Sequence, residues 1–179
     1  AASNRSSPTS SGQKAGWPMR EVRLLIEEIR KSRQALAKIE AFYDRLIPPP
    51  GSEARSPERA IVIADLLAKY YTCAETIFLR ISQFFENSLA DDRWHADLLR
   101  KMTLSIPGIR AAVIRDATHG VLLELLEFRH FTRYYYDITY DWDRLDYLTK
   151  KFAAARTALQ DDLDGFLQFL ETLAAGEPQ

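Results

Sequence analysis

Glu127 to Tyr136 reads EFRHFTRYYY, and it holds two Arg, one His and three Tyr near the end of an otherwise apolar helical stretch. A helix built only for packing has no use for that set. The guanidinium groups of Arg129 and Arg133 have a planar fork that matches phosphate and stays charged. His130 can take or give a proton near neutral pH. Tyr134 and Tyr136, with an ordinary pKa of about 10, are poor bases at neutral pH but good hydrogen-bond donors. The chemistry on offer is anion binding coupled to proton transfer. The plain alternative is a solvated helix end, where cations are favoured by the dipole. At about 100° per residue, Arg129, Arg133 and Tyr136 share one narrow face if the helix runs that far, with His130 and Tyr134 beside them. The set spans an arc of about 160°, wider than a single core absorbs, so part of it is expected to face a groove or another subunit.

The elements that must position this cluster are all helical. Apolar residues from Val22 through Leu25, Ile26, Ile29, Leu36, Ile39 and Tyr43 to Leu46 recur at steps of three and four, which predicts a helix over about 21–46. Pro48-Pro49-Pro50-Gly51 stops it. Ser56-Pro57-Glu58 opens a second helix, Ser as N-cap and Pro in the first turn, which reaches about Glu86. That helix is apolar almost all round and is expected at the centre of the fold. Glu75 lies inside it, either as a structural carboxylate satisfied by an Arg or Tyr, or as one that positions a site Arg. Residues 87–93 form a polar loop, Asp91 or Asp92 caps a short helix over about 94–102, and Ile106-Pro107-Gly108 breaks the chain again.

A fourth helix is expected from near Asp116 to about Tyr134, burying Val121, Leu122, Leu125, Phe128 and Thr132. Asp137 to Asp141 is a turn, and Asp141 caps a last helix from Trp142 to about Leu173. No strand pattern or internal repeat competes, so the fold class is all-α: an up-and-down bundle of about five helices with short loops.

The chain has 179 residues, 46% of them apolar, which fits one domain with a buried core. A net charge of -1 provides no global basic field, so any contact with nucleic acid must come from a local cluster. Cys73 is the single cysteine, which excludes an intrachain disulfide, and it reads as a core thiol. One Cys and three scattered His offer no zinc spacing, so neither metal nor cofactor is expected. No apolar run reaches membrane-spanning length and no signal-peptide pattern opens the chain, so a cytoplasmic location is expected. Residues 1–18, rich in Ser, Gly and Pro, read as a flexible leader or expression remnant; residues 19–176 form the domain.

Residues 129–136 resemble the R-x4-H-x-Y motif of HEPN ribonucleases of the HepT toxin type. Arg129 matches the Arg and Tyr136 the Tyr, while Tyr134 stands where the motif has His. The likeness extends from about Glu21 to Leu163. It takes in the Glu-bearing CAETIFLRI segment, Trp94-His95 with Leu98, Leu99 and Met102, the Ile106-Pro107-Gly108-Ile109-Arg110 loop, and Phe128 to Arg133.

The resemblance implies a HEPN-like homodimer in which two motif copies form one cleft. It also implies metal-independent endoribonuclease toxin activity on tRNA or mRNA, and a nucleotidyltransferase antitoxin of the MNT type that adds AMP to Tyr136. RNA cleavage of this kind needs a base for the 2′-OH, a cation for the phosphorane charge and an acid for the leaving 5′-oxygen. Arg129 and Arg133 would bind RNA, His130 or Tyr134 would assist proton transfer, and Glu75 would support them. Tyr134 is one base change from His, either an introduced inactivating change or a natural variant. His95 reads as structural, and His119 as a surface or capping residue. The alternatives are a non-catalytic HEPN module binding RNA, a nucleotide or a nucleotidyltransferase, and a helical dimerisation scaffold without a ligand.

Overall fold

The computed structural model describes residues 18–46, 55–86 and 94–176. Five helices follow in order: α1 (Met19–Leu46), α2 (Pro57–Glu86), α3 (Trp94–Lys101), α4 (Asp116–Arg133) and α5 (Trp142–Ala175). Among the described residues there is no strand, only one isolated bridge between Ile106 and Arg110. The all-α HEPN-like bundle expected from the sequence is the fold observed. The Pro48–Gly51 stop, the 87–93 loop with its Asp91 or Asp92 cap, and residues 1–17 of the leader lie outside the described residues. Pro18 immediately precedes α1, and its carbonyl accepts from the amides of Glu21 at 2.9 Å and Val22 at 3.2 Å.

Helix α2 is central, packing against all four other helices. Fourteen of its residues are buried, from Ala60 to Phe85, including Tyr70, Tyr71 and Phe78. The helix opens as its sequence dictates: Ser56 Oγ accepts from the Arg59 amide at 3.3 Å, and Pro57 occupies the first helical position, where its missing N–H costs nothing. The α1 stripe differs from the expected one at its middle. Ser32 is buried there and its hydroxyl accepts from Arg80 Nη1 at 2.8 Å, while Ile39 and Leu46 are only partly buried. Cys73 is half-buried, not fully enclosed; its thiol donates to the Ser32 carbonyl at 3.5 Å and burial pushes its pKa up, which keeps it unreactive. Phe152 of α5 is held edge-on by Tyr43 of α1 and Tyr70 of α2, with ring centroids 4.6 and 4.8 Å away.

The connection from α3 to α4 runs over residues 102–115, as the expected helix bounds imply, and it is closely built. Ile106 to Ile109 forms a type II turn. Pro107 supplies its fixed φ, Gly108 supplies φ of 73°, and the Ile109 amide returns to the Ile106 carbonyl at 3.0 Å. The turn delivers Arg110, whose side chain is fully buried, to Glu86 at the end of α2 (2.6 and 3.0 Å) and to the carbonyls of Lys101 and Leu104 (3.0 and 2.8 Å). Arg110 thereby ties α2, α3 and the loop together. Asp141 caps α5 as expected, accepting from the Asp143 amide at 2.9 Å.

Candidate functional site

The buried face of α4 is made by Thr118, Leu122, Leu125, Leu126 and Phe128. Arg129 comes seven residues after Leu122 and three after Leu126, so the helical repeat carries it onto that same face, toward α2. A charge placed there needs a partner, and α2 presents Glu75, only 5% exposed. Arg129 Nη2 lies 3.4 Å from Glu75 Oε2. The guanidinium also sits over the ring of Tyr71, one turn earlier on α2, with its carbon 5.9 Å from the ring centroid. Burial drives the Tyr71 phenol far above its ordinary pKa, so it remains neutral. Arg129 Nη1 is buried and makes no hydrogen bond among the described residues.

The other oxygen of Glu75 belongs to α3. His95 Nδ1 lies 2.6 Å from Glu75 Oε1. A carboxylate oxygen accepts, so the donor in this pair is His95 Nδ1–H. The His95 ring meets His130 of α4 edge to face, centroids 5.3 Å apart. Burial is the main cause that holds the His130 pKa below its ordinary 6.5, followed by His95 and Arg129, with Glu75 opposing them. One carboxylate thus organises an Arg and a His directly and a second His through the first.

The exposed half of the cluster begins one turn on. Arg133 is exposed and makes no ion pair among the described residues. Helix α4 ends there, with Tyr134 as the C-cap residue. Tyr136 therefore leaves the helical face it was expected to share with Arg129 and Arg133, and stands 91% exposed beyond the helix. The chain turns away because Tyr135 Oη donates to the Thr139 carbonyl at 2.6 Å and Asp137 Oδ1 accepts from the Thr139 amide at 3.1 Å. Tyr134 is 70% exposed.

Of the residues anticipated from the sequence, Glu75, Arg129 and His130 come together; Arg133, Tyr134 and Tyr136 line the solvent side. Glu75 pairs with Arg129, as both readings of that carboxylate allow. His95, read as structural, proves to be a direct partner of Glu75, and Tyr71 joins as the platform under Arg129. The four-residue step from Tyr71 to Glu75 signals their shared helix face, but nothing local to His95 reveals its partner twenty residues earlier. His119 is half-buried in the first turn of α4, away from the cluster. No three His, Cys, Asp or Glu among the described residues converge as a metal site, and no described helix is long and apolar enough to cross a membrane.

A family model described as "HepT-like protein" matches residues 62–170. No curated protein and no solved structure matches the chain. The matched stretch starts within α2, past the α1 residues included in the sequence resemblance, and contains Glu75, His95 and the whole of Arg129 to Tyr136. It covers more than half of the chain and every element that builds the cluster, and the chain belongs to the HepT-like protein family.

Proposed function

We propose that this protein is a metal-independent endoribonuclease of a toxin–antitoxin pair, acting on tRNA or mRNA as a homodimer with the cluster at the end of α4 in its cleft. The observation that carries this reading is the ordering of Arg129, His95 and His130 around the buried Glu75, beside an exposed Arg133 that makes no ion pair among the described residues. Chemical groups suited to phosphate and to proton transfer share one end of one helix. In the reaction, the 2′-oxygen bonds to phosphorus as His130 takes its proton, Arg129 and Arg133 neutralise the charge on the phosphorane, and the P–O5′ bond breaks. The leaving 5′-oxygen takes a proton from the imidazolium or from water, giving a 2′,3′-cyclic phosphate and a 5′-hydroxyl. Tyr136, almost wholly exposed, is accessible to an antitoxin nucleotidyltransferase that transfers AMP to its phenol.

The test is cleavage of total tRNA and a structured mRNA by the purified chain, with and without EDTA, beside Arg133→Ala. Cleavage that survives EDTA and falls with Arg133→Ala is expected. Equal rates for both proteins at matched salt would remove the proposed site. A second reading, a non-catalytic module binding RNA, nucleotide or a nucleotidyltransferase, is favoured by Tyr134 in the motif's His position; RNA binding without cleavage would support it.

A further inference from the structure

We infer that His95 and Glu75 are positioning residues for His130: the carboxylate clamps the His95 ring through Nδ1, and that ring fixes His130 as the group that takes the proton from RNA. The inference rests on the ribonuclease reading of the cluster and supplies what that reading lacks, an imidazole where the motif position holds Tyr134. Three observations support it. Glu75 is buried and bonds His95 at 2.6 Å, so His95 has one ring nitrogen committed and its orientation set by a group that cannot move into solvent. The two imidazoles are in edge-to-face contact across α3 and α4, which restricts rotation of the His130 ring. Tyr134, the alternative proton-transfer group, is 70% exposed and lies at the C-cap beyond the end of the helix.

The arrangement also sets which form of His130 is present. The groups that face it are His95 from α3, Glu75 from α2, and Arg129 and Arg133 from its own helix. Glu75 is the only one that favours the charged ring, and both its oxygens are engaged with Arg129 and His95. From α5, Arg144 stacks on Phe131 at 4.3 Å, and Tyr147 and Lys151 pair with Glu124, so none of these contacts involves His130. A half-buried imidazole among cations stays neutral to a lower pH than a free one, which is the form a base requires.

The experiment is a histidine NMR titration of the full chain without RNA, comparing wild type with His95→Asn, whose amide can still donate to Glu75. The expected result is an upward shift of the His130 midpoint in the variant, because a smaller neighbour relieves the burial that is the main cause holding it down. A midpoint that stays put or falls would overturn the inference. Should His95→Asn not fold, the wild-type protein decides alone. His95 protonated on Nδ1, with a nuclear Overhauser contact between the two rings, supports the pairing; the Nε2–H tautomer or no contact defeats it. A pH–rate profile of RNA cleavage is then expected to show its acid limb at higher pH in His95→Asn. The titration succeeds or fails without RNA, so a wild type that cleaves no RNA condemns the ribonuclease reading and leaves the NMR result to judge the pair.

Discussion

Arg129 and Arg133 are the same residue type one turn apart, yet they do different work. Arg129 compensates the buried Glu75 as well as offering a donor to phosphate, so Arg129→Ala is expected to abolish RNA cleavage and also to lower stability. Leaving a buried carboxylate without its cation costs about 3–5 kcal/mol in well-buried pairs; Glu75 keeps His95, so the lower end is expected. Arg133 makes no ion pair among the described residues, and Arg133→Ala is expected to weaken cleavage with an unchanged melting temperature. Calorimetry beside the cleavage assay separates the two effects, and an Arg129→Ala variant as stable as wild type would contradict the Glu75 pairing. At position 134, restoring the motif with Tyr134→His is expected to raise cleavage if that site takes part in proton transfer, general acid–base help being typically about 10²–10⁴-fold. If His130 is the base, Tyr134→His changes little and His130→Ala is the damaging substitution. The rate should then hold as pH falls until it passes the His130 pKa, which lies below 6.5, and drop beneath it. Both variants measured on one RNA from acid to neutral pH decide between the positions.

At the scale of elements, the loop between α3 and α4 carries more of the site's precision than its length suggests. Arg110 closes it with five hydrogen bonds, two to Glu86 and three to carbonyls. The same loop fixes where α3 ends and α4 begins, and so where His95 stands relative to His130. Arg110→Ala would leave Glu86 with Lys101 at 3.9 Å as its one remaining ion pair among the described residues, and would take from the Leu104 carbonyl its side-chain donor, while the Lys101 carbonyl keeps the Leu104 amide at 3.1 Å. The expected cost is about 3 kcal/mol or more, a fall in melting temperature of about 6 °C or more for a chain of this size. Differential scanning calorimetry reads it directly, and a shift under one degree would show that Glu86 re-pairs with solvent at no cost.

For the whole molecule, the end of α4 poses a question of exposure. Tyr134, Tyr136 and Ile138 are 70%, 91% and 65% exposed within a single chain, beside a cluster that is half-buried. A homodimer that brings two such ends together would cover Ile138 and complete a cleft from two motif copies in which Tyr136 stays reachable, with an interface of at least about 1,000 Å² in total. Light scattering at micromolar concentration is expected to give twice the chain mass of 20.5 kDa, and Ile138→Asp to shift it toward one copy. A wild-type monomer under those conditions would reject the dimeric cleft.

The helices themselves were legible in the sequence, because a helix declares itself through local periodicity and through caps such as Ser56, Pro57 and Asp141. The end of α4 was legible only to within a turn: the pattern allowed the helix to reach Tyr136, and the hydrogen bonds of Tyr135 and Asp137 with Thr139 end it earlier. The family resemblance was legible too, since it rests on the order of short motifs. What only the tertiary structure decided is which charges meet. Glu75, His95, Arg129 and His130 sit on three helices, and their pairing depends on the rotation and depth at which α2, α3 and α4 pack. Those are set by the summed burial of Phe78, Leu99, Leu125, Phe128 and their neighbours, and by the Arg110 clamp, rather than by anything adjacent to the polar residues in the chain. A buried carboxylate must find a cation, but the sequence does not say which one lies within reach.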